Sequence, residues 1–374
     1  MIVSNSAVSN YICLHDKVYS FFGGNNYLGL ADNPLLKRAA INSIEKYGLN
    51  FAAARQTTGT SEIHTELEKL LATFKNKEDA VVFGSGYMGN RILLTALGGN
   101  YSSVFMDEFS HSSIKEGIPS DISEILVYNH CDPDHLEGLL KANNKGKPLI
   151  ITDGVFSLTG EIAPLDKIHA LSEKYGAIIV VDDAHSTGVL GKNGRGTPEH
   201  FNLESATNIY QTETMSKAGG VYGGFIAGDR ELTGKIREKS STYLASTSLP
   251  PPLVSASAAS VTIIMQHTEL RTSLHRNLKM IIDGVRKLGY LTFSRETPII
   301  PLCFKLKETA EELSEFLKEH GIIVPFIIYP VNTGMYVLRI TVSSVHTLEQ
   351  IGELLAVLGI WINDNGSRND QICC

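Results

Sequence analysis

Two continuous apolar runs, Leu149-Ile150-Ile151 and Ala177-Ile178-Ile179-Val180-Val181, bracket a stretch of helical periodicity. This alternation constrains the fold more than any other feature. Apolar runs with no polar alternation are the pattern of parallel strands covered on both faces. Between them Leu165, Ile168, Leu171 and Tyr175 recur at three- and four-residue spacing, and Gly176 follows as a residue able to close a helix in the left-handed region. Asp132-Pro133 reads as an N-cap and first helical position, with Leu136, Leu139 and Leu140 on one face. Ile63, Leu67, Leu70, Leu71 and Phe74 mark another amphipathic helix. Strands alternating with helices over this length predict an α/β core with a mostly parallel sheet.

The last third changes character. Ser246-Thr-Ser-Leu-Pro-Pro-Pro252 reads as a break, followed by a small-residue helix and a long one around Leu274 to Leu288. Ile299-Ile300, a helix with Leu313, Phe316 and Leu317 closed by Gly321, and a strand near Val337 to Val342 come next. Thr347 and Gln350 form a capping box for a final helix. The expected organisation is an N-terminal arm over 1–35, a large domain over 36–254, a smaller α+β domain over 255–362, and a mobile tail over 363–374.

Composition excludes several classes. Hydrophobic residues at 43% and charged residues at 20% suit a chain that buries a large core. Thirty-three basic against forty acidic residues give a net charge of −7, without the basic surplus or stripe of a nucleic-acid binder. No apolar run approaches the ~18 residues a membrane helix needs. The opening MIVSNSAVSNYICLHDK lacks a basic segment followed by an apolar one, so no secretory leader and a cytoplasmic location are expected. The five cysteines show neither a disulfide framework nor zinc spacing, and reduced thiols are the expectation.

Three segments carry chemistry. Gly84-Ser-Gly-Tyr-Met-Gly89 follows the run Ala80-Val-Val-Phe83, with Asp107 eighteen residues beyond Gly89. The pattern fits a nicotinamide dinucleotide site, but a glycine-rich strand-to-helix turn offers backbone N–H groups to any phosphate. Val180-Val-Asp-Asp-Ala-His-Ser-Thr-Gly188 places two acids and a histidine after the C-terminal end of a strand, where α/β sheets bind ligands. Thr214-Met-Ser-Lys-Ala-Gly-Gly220 surrounds one lysine with hydroxyls and small residues. A lysine for a Schiff base, an aspartate for a pyridinium nitrogen and a phosphate cradle are together what pyridoxal 5'-phosphate (PLP) requires.

On these segments the chain resembles the α-oxoamine synthase family of PLP-dependent enzymes. The family has the fold-type I, aspartate aminotransferase-like architecture: a mostly parallel sheet in a large domain plus a smaller α+β C-terminal domain. The resemblance runs from Asn25 to about Leu358. It includes Asn25-Asn-Tyr-Leu-Gly-Leu30, Gly59 to Glu68, Ser110-His-Ser-Ser113, Asp153-Gly-Val-Phe-Ser157, Asp182 to Gly191, Ser246 to Pro251 and Leu338-Arg-Ile340.

The resemblance implies roles residue by residue. Lys217 stands as the Schiff-base lysine, Asp182 faces the pyridinium nitrogen, His185 bonds the ring hydroxyl and His111 stacks on the ring. Ser85, Gly86, Tyr87 and Thr214 hold the phosphate, and Ser157 lines the ring. Thr247 or its neighbours complete the phosphate site from a second subunit, which implies a homodimer with shared active sites. Asn26 and Arg339 bind the substrate carboxylate, for which a guanidinium's two parallel donors are suited. The implied reaction condenses an amino acid with an acyl-CoA thioester, with loss of CO2, to give an α-aminoketone. Types resembling 8-amino-7-oxononanoate synthase, 2-amino-3-ketobutyrate ligase and, as an alternative, serine palmitoyltransferase remain open. A nicotinamide-dependent oxidoreductase using Gly84 to Gly89 is the alternative of another class.

Two departures stand out. Glu213 occupies a place where the family often has glycine, directly before Thr214. Lys17 is the one lysine or arginine before Asn25, where biotin-pathway members often carry an arginine for a carboxylated acyl chain. An uncharged acyl-CoA is therefore expected to serve at least as well as a carboxylated one.

Overall fold

The computed structural model describes residues 3–143, 146–292, 296–327, 335–365 and 371–372. They form two compact units. The larger comprises Pro34–Phe156 and Ile162–Gln266; the smaller comprises the described residues of Met1–Asn33, Ser157–Glu161 and His267–Cys374. The helix Pro251–Gln266, assigned by sequence to the C-terminal domain, groups with the larger unit. Its first two residues are prolines, which fix the helical φ where no intrahelical N–H is needed, so Pro251-Pro252 starts a helix within the expected break.

In the smaller unit β1 (Tyr11–Leu14) and β2 (Lys17–Phe21) form an antiparallel hairpin. The segment read as an arm is therefore structured.

In the larger unit seven strands form one sheet: β3 (Asp79–Phe83), β4 (Ser103–Asp107), β5 (Glu124–Tyr128), β6 (Pro148–Asp153), β7 (Ile178–Asp182), β8 (Ile209–Thr214) and β9 (Gly224–Gly228). Their order is β3-β9-β8-β7-β6-β4-β5. Pairs from β5 through β8 are parallel, and β9 is antiparallel to both β8 and β3. Strict side-chain alternation sorts the apolar runs into two cores. Val104, Met106, Leu149, Ile151 and Val180 pack with Ile92, Leu93, Leu232 and Ile236 on one face. Phe105, Ile150, Ile179 and Val181 pack with Leu136, Leu140, Leu165 and Ile168 on the other. Each fully buried Leu or Ile contributes about 1.5–3 kcal/mol, so helices on both faces are what these runs demand.

The helix ends follow their signals. Asp132 accepts from the Asp134 and His135 N–H groups, both at 3.0 Å, and Gly176 closes Leu165–Tyr175 at φ 65°. The Glu62–Lys75 helix buries Leu67, Leu71 and Phe74, and also Lys75.

The rest of the smaller unit contains β10 (Ile299–Phe304), β11 (Ile322–Ile323), β12 (Phe326–Ile327), β13 (Tyr336–Thr341) and β14 (Gln371–Ile372). β11 joins the hairpin through β2, and the other four form a sheet in the order β12-β13-β10-β14. Gln371 and Ile372, within the segment expected to be a mobile tail, thus pair with β10; most of the remaining tail lies outside the described residues. Thr347 and Gln350 cap the last helix reciprocally at 3.1 and 3.3 Å. Cys303 on β10 is disulfide-bonded, which departs from the expectation of reduced thiols. Among the described residues no helix is long and apolar enough to cross a membrane.

Candidate active site

A cavity of about 230 Å3 opens at the C-terminal ends of β7 and β8 in the larger unit. Its lining includes Ser85, Gly86, Tyr87, His111, Asp182, His185, Thr214 and Lys217, eight residues singled out from separate sequence segments. The sheet brings them together because β7 and β8 are neighbours and the glycine turn after β3 reaches back toward β8 and β9.

Glycine is required at that turn by close approach. A Cβ on Gly86 would lie 2.6 Å from the Thr214 Cβ, and one on Gly224 would lie 2.8 Å from the Gly86 Cα. The turn backbone is thus pressed onto the ends of β8 and β9. Ser85 Oγ accepts from the Tyr87 N–H at 3.3 Å and starts the short turn that leads into the helix Gly89–Ala96. The Thr214 hydroxyl donates to the Gly223 carbonyl at 2.9 Å and accepts from the Ser216 N–H at 3.1 Å. Hydroxyls and amides therefore crowd this end of the cavity.

The other end is acidic. Asp182, at the last position of β7, is 8% exposed and accepts from Asn90 Nδ2 at 2.7 Å and from the Ala184 N–H at 3.2 Å. Ser113 Oγ approaches the same carboxylate at 3.5 Å, and Asn90 Oδ1 in turn accepts from the Thr212 hydroxyl at 3.1 Å. Asp153, at the end of β6, accepts the His111 N–H at 3.0 Å. Complete burial, then the nearby Asp182 charge, push its carboxyl well above the usual carboxylate range. Burial lowers the pKa of His111, opposed by Asp182 and reinforced by Lys217. His111 Nδ1 accepts the Ser113 N–H at 3.2 Å, so a neutral ring carries its proton on Nε2. The Tyr87 ring meets His111 edge-on, with centroids 6.0 Å apart. Lys217 lies half-buried in the turn after β8, and His185 is buried after β7.

Sequence reasoning gave no site role to Asn90, Ser113 or Asp153. Asn90 directly follows Gly89, and Ser113 and Asp153 stand inside segments already quoted for the resemblance. Thr247 is exposed, forms an isolated bridge with Ala54 and does not line this cavity. Three of the named residues belong to the smaller unit. There Arg339 Nη2 donates to Asn25 Oδ1, Asn26 Oδ1 accepts from the Ala31 N–H at 3.1 Å, and Ser157 lies in a turn.

The topology disfavours a nicotinamide site. A dinucleotide fingerprint needs its glycine turn between adjacent parallel strands. Here β3 is an edge strand paired antiparallel with β9, and four strands, β9, β8, β7 and β6, lie between β3 and β4. Asp107 is engaged elsewhere, accepting from the Phe109 and Cys131 N–H groups at 2.9 Å and paired with His130.

Comparison with known proteins agrees with this geometry. The family described as aminotransferase class I and II matches residues 21–358. The chain is 41% identical over 334 residues to the 8-amino-7-oxononanoate synthase of Thermoanaerobacter pseudethanolicus, covering 88% of this chain and 84% of the relative. The serine palmitoyltransferase of S. paucimobilis, solved with a bound PLP–myriocin aldimine, superposes with a TM-score of 0.92 at 29% identity, covering 97% of this chain and 92% of that one. The 8-amino-7-oxononanoate synthase of Francisella tularensis superposes with a TM-score of 0.79 at 27% identity, covering 92% and 98%. The chain belongs to the class I and II aminotransferase family, within its α-oxoamine synthase branch, and is an enzyme.

Proposed function

We propose that this enzyme is a PLP-dependent C-acyltransferase resembling 8-amino-7-oxononanoate synthase. It joins an amino acid to an acyl-CoA thioester and releases CO2 and coenzyme A. The observation that carries the reading is the cavity itself, with a hydroxyl-and-amide cradle at one end, a carboxylate at the other and a lysine among its lining. That donor set fits the cofactor: Ser85, Gly86, Tyr87 and Thr214 would hold the phosphate, Asp182 the ring nitrogen, and His185 the ring hydroxyl. The close packing of Gly86 against Thr214 supports a backbone cradle, since any side chain there would fill it. When bound, the cofactor supplies an electron sink for negative charge developing at the amino acid's Cα.

The chain's own residues do the rest. Lys217 takes the Cα proton once its amine is released and returns a proton at the end. Asp182, held by Asn90 and the Ala184 N–H, keeps the ring-nitrogen proton in place. His111 is fixed by Ser113 with its Nε2–H available to polarise the thioester carbonyl, as well as to stack. Asn26 and Arg339 bind the amino-acid carboxylate, with Ser157 at the ring. Thr247 serves the partner's site in a cytoplasmic homodimer. Its exposure supports that reading, as do the exposed apolar residues Leu35, Ile41, Ile44 and Leu49 of the larger unit.

The name 8-amino-7-oxononanoate, carried by the relatives, dictates substrates by carbon count. An alanine that loses CO2 supplies the aminoethyl end, and a seven-carbon diacid, pimeloyl, supplies the remainder. The test is release of coenzyme A thiol from pimeloyl-CoA with alanine, alongside heptanoyl-CoA with alanine and palmitoyl-CoA with serine. Thiol release that requires the amino acid and matches CO2 one to one supports the reaction. Thiol release independent of the amino acid would contradict it. Lys17 is exposed on the hairpin, so the uncharged heptanoyl chain should match pimeloyl in kcat/KM. A tenfold preference for pimeloyl, ~1.4 kcal/mol, would overturn that part.

A further inference from the structure

Beside the cavity, whose lining includes Glu213, lies a buried charge pair that the reaction does not use. Glu213, 1% exposed, precedes Thr214 on β8 and forms an ion pair with Lys75, 3% exposed, the last residue of the helix Glu62–Lys75. Lys75 Nζ also donates to the Arg195 carbonyl, and the Arg195 Nε donates to the Phe74 carbonyl at 2.7 Å, so the helix end is tied to the loop after β7. The position of Glu213 gives this pair its consequence. Pairing of β8 with β7 ends at Asp182↔Thr212, and only β9 continues alongside Glu213 and Thr214. The last two residues of β8 thus overhang the end of β7. The side chain of Glu213 is anchored on one face, and on the other Thr214 meets Gly86.

We propose that Lys75 and Glu213 are a positioning pair that sets Thr214 against the glycine turn and thereby shapes the phosphate end of the cavity. The inference rests on the reading of that end as a phosphate cradle. It also explains how this chain tolerates a buried acid beside a site for an anion: Lys75 neutralises it. A lone buried charge on either side would be costly, so neither partner can be lost alone without penalty.

The experiment compares dissociation constants of PLP and of pyridoxal, which lacks the phosphate, for the apoprotein. The protein carrying Lys75→Met together with Glu213→Leu replaces both charges by apolar groups, which buried pairs tolerate better than single removal. The expected result is at least tenfold weaker PLP binding, pyridoxal binding within twofold, and an unchanged circular dichroism spectrum. A general structural defect would weaken both ligands alike, and equal losses or an unchanged PLP-to-pyridoxal ratio would overturn the proposal. Should the double variant not fold, Lys75→Arg carries the test, since it keeps the charge and alters the reach. A ratio reduced at least threefold supports the proposal, and an unchanged ratio overturns it. Wild-type protein that binds pyridoxal as tightly as PLP would instead overturn the cradle reading, and the proposal with it.

Discussion

Asp182 and Asp183 are adjacent in sequence and serve opposite faces of one sheet. Asp182 turns to the cavity, where Asn90 Nδ2 donates to it at 2.7 Å. Asp183, 0% exposed, turns to the back, where Gln211 Nε2 donates at 2.6 Å and the Thr197 N–H and hydroxyl at 2.9 and 2.6 Å. Alternation on β8 repeats the division: Thr212 and Thr214 face the cavity side, while the Gln211 and Glu213 side chains bond to Asp183 and Lys75 at the back, Glu213 also bordering the cavity. On the cavity face polar groups border open space. The back face is a closed network, and it fixes the strand ends from which the cavity residues project. One face is built for chemistry and the other for position.

This division predicts that paired substitutions fail in different observables. The largest expected effect is at Asp182. Asp182→Asn should lower kcat/KM by about 10²–10³-fold, the scale of a lost preorganised electrostatic partner, with thermal stability nearly unchanged. Asp183→Asn should instead cost about 1–3 kcal/mol in stability, as donors in a buried network lose their acceptor. Denaturant melts and initial rates on both variants separate the two; a purely kinetic defect in Asp183→Asn would erase the distinction between the faces.

The donors give a smaller version of the same contrast. Asn90→Ala removes a bond to the cavity carboxylate and should lower kcat/KM by roughly tenfold, or ~1.4 kcal/mol. Gln211→Ala should reduce stability by about 1–3 kcal/mol while kcat/KM stays within about twofold.

The smallest effect concerns pH. Burial raises the Glu213 carboxyl to about 7, partly offset by Lys75, from an unfolded value of 4.5. Between those values the folded protein holds the proton more tightly, so this group adds stability as pH falls from about 7 toward 4.5. His64, in the first turn of helix Glu62–Lys75, works the other way: burial and then Arg55 push it down from 6.5 to about 4, so the unfolded chain gains the proton first and stability is lost as pH falls between those values. The Lys75→Met, Glu213→Leu protein lacks the first contribution. Its melting temperature should therefore drop more steeply from pH 7 to pH 5 than that of wild type; parallel curves would argue against a raised Glu213.

Much of this was legible in the sequence, for physical reasons. Buried parallel strands must be apolar on both faces, so β6 and β7 announced themselves, and capping chemistry is local, so Asp132, Gly176 and Thr347 could be read directly. The lysine turn and the Asp182-Asp183 segment carry dense local chemistry. What escaped depends on contacts distant in sequence. Asn90 stands one residue beyond the glycine motif, but its bond to Asp182 exists only because the sheet order places the helix Gly89–Ala96 over β7 and β8. Glu213 was visible as a departure from the family pattern, whereas no local signal marks Lys75, more than a hundred residues earlier, as its partner. The nicotinamide alternative failed for the same reason: the glycine spacing is local, and the antiparallel pairing of β3 with β9 is not.

The most direct test of the central claim is borohydride reduction of PLP-loaded protein followed by peptide mapping. The account predicts a pyridoxyl group on Lys217 and its loss, with the fold retained, in Lys217→Ala. A pyridoxyl group on another lysine in the wild-type protein would contradict the assignment of this cavity as the active site.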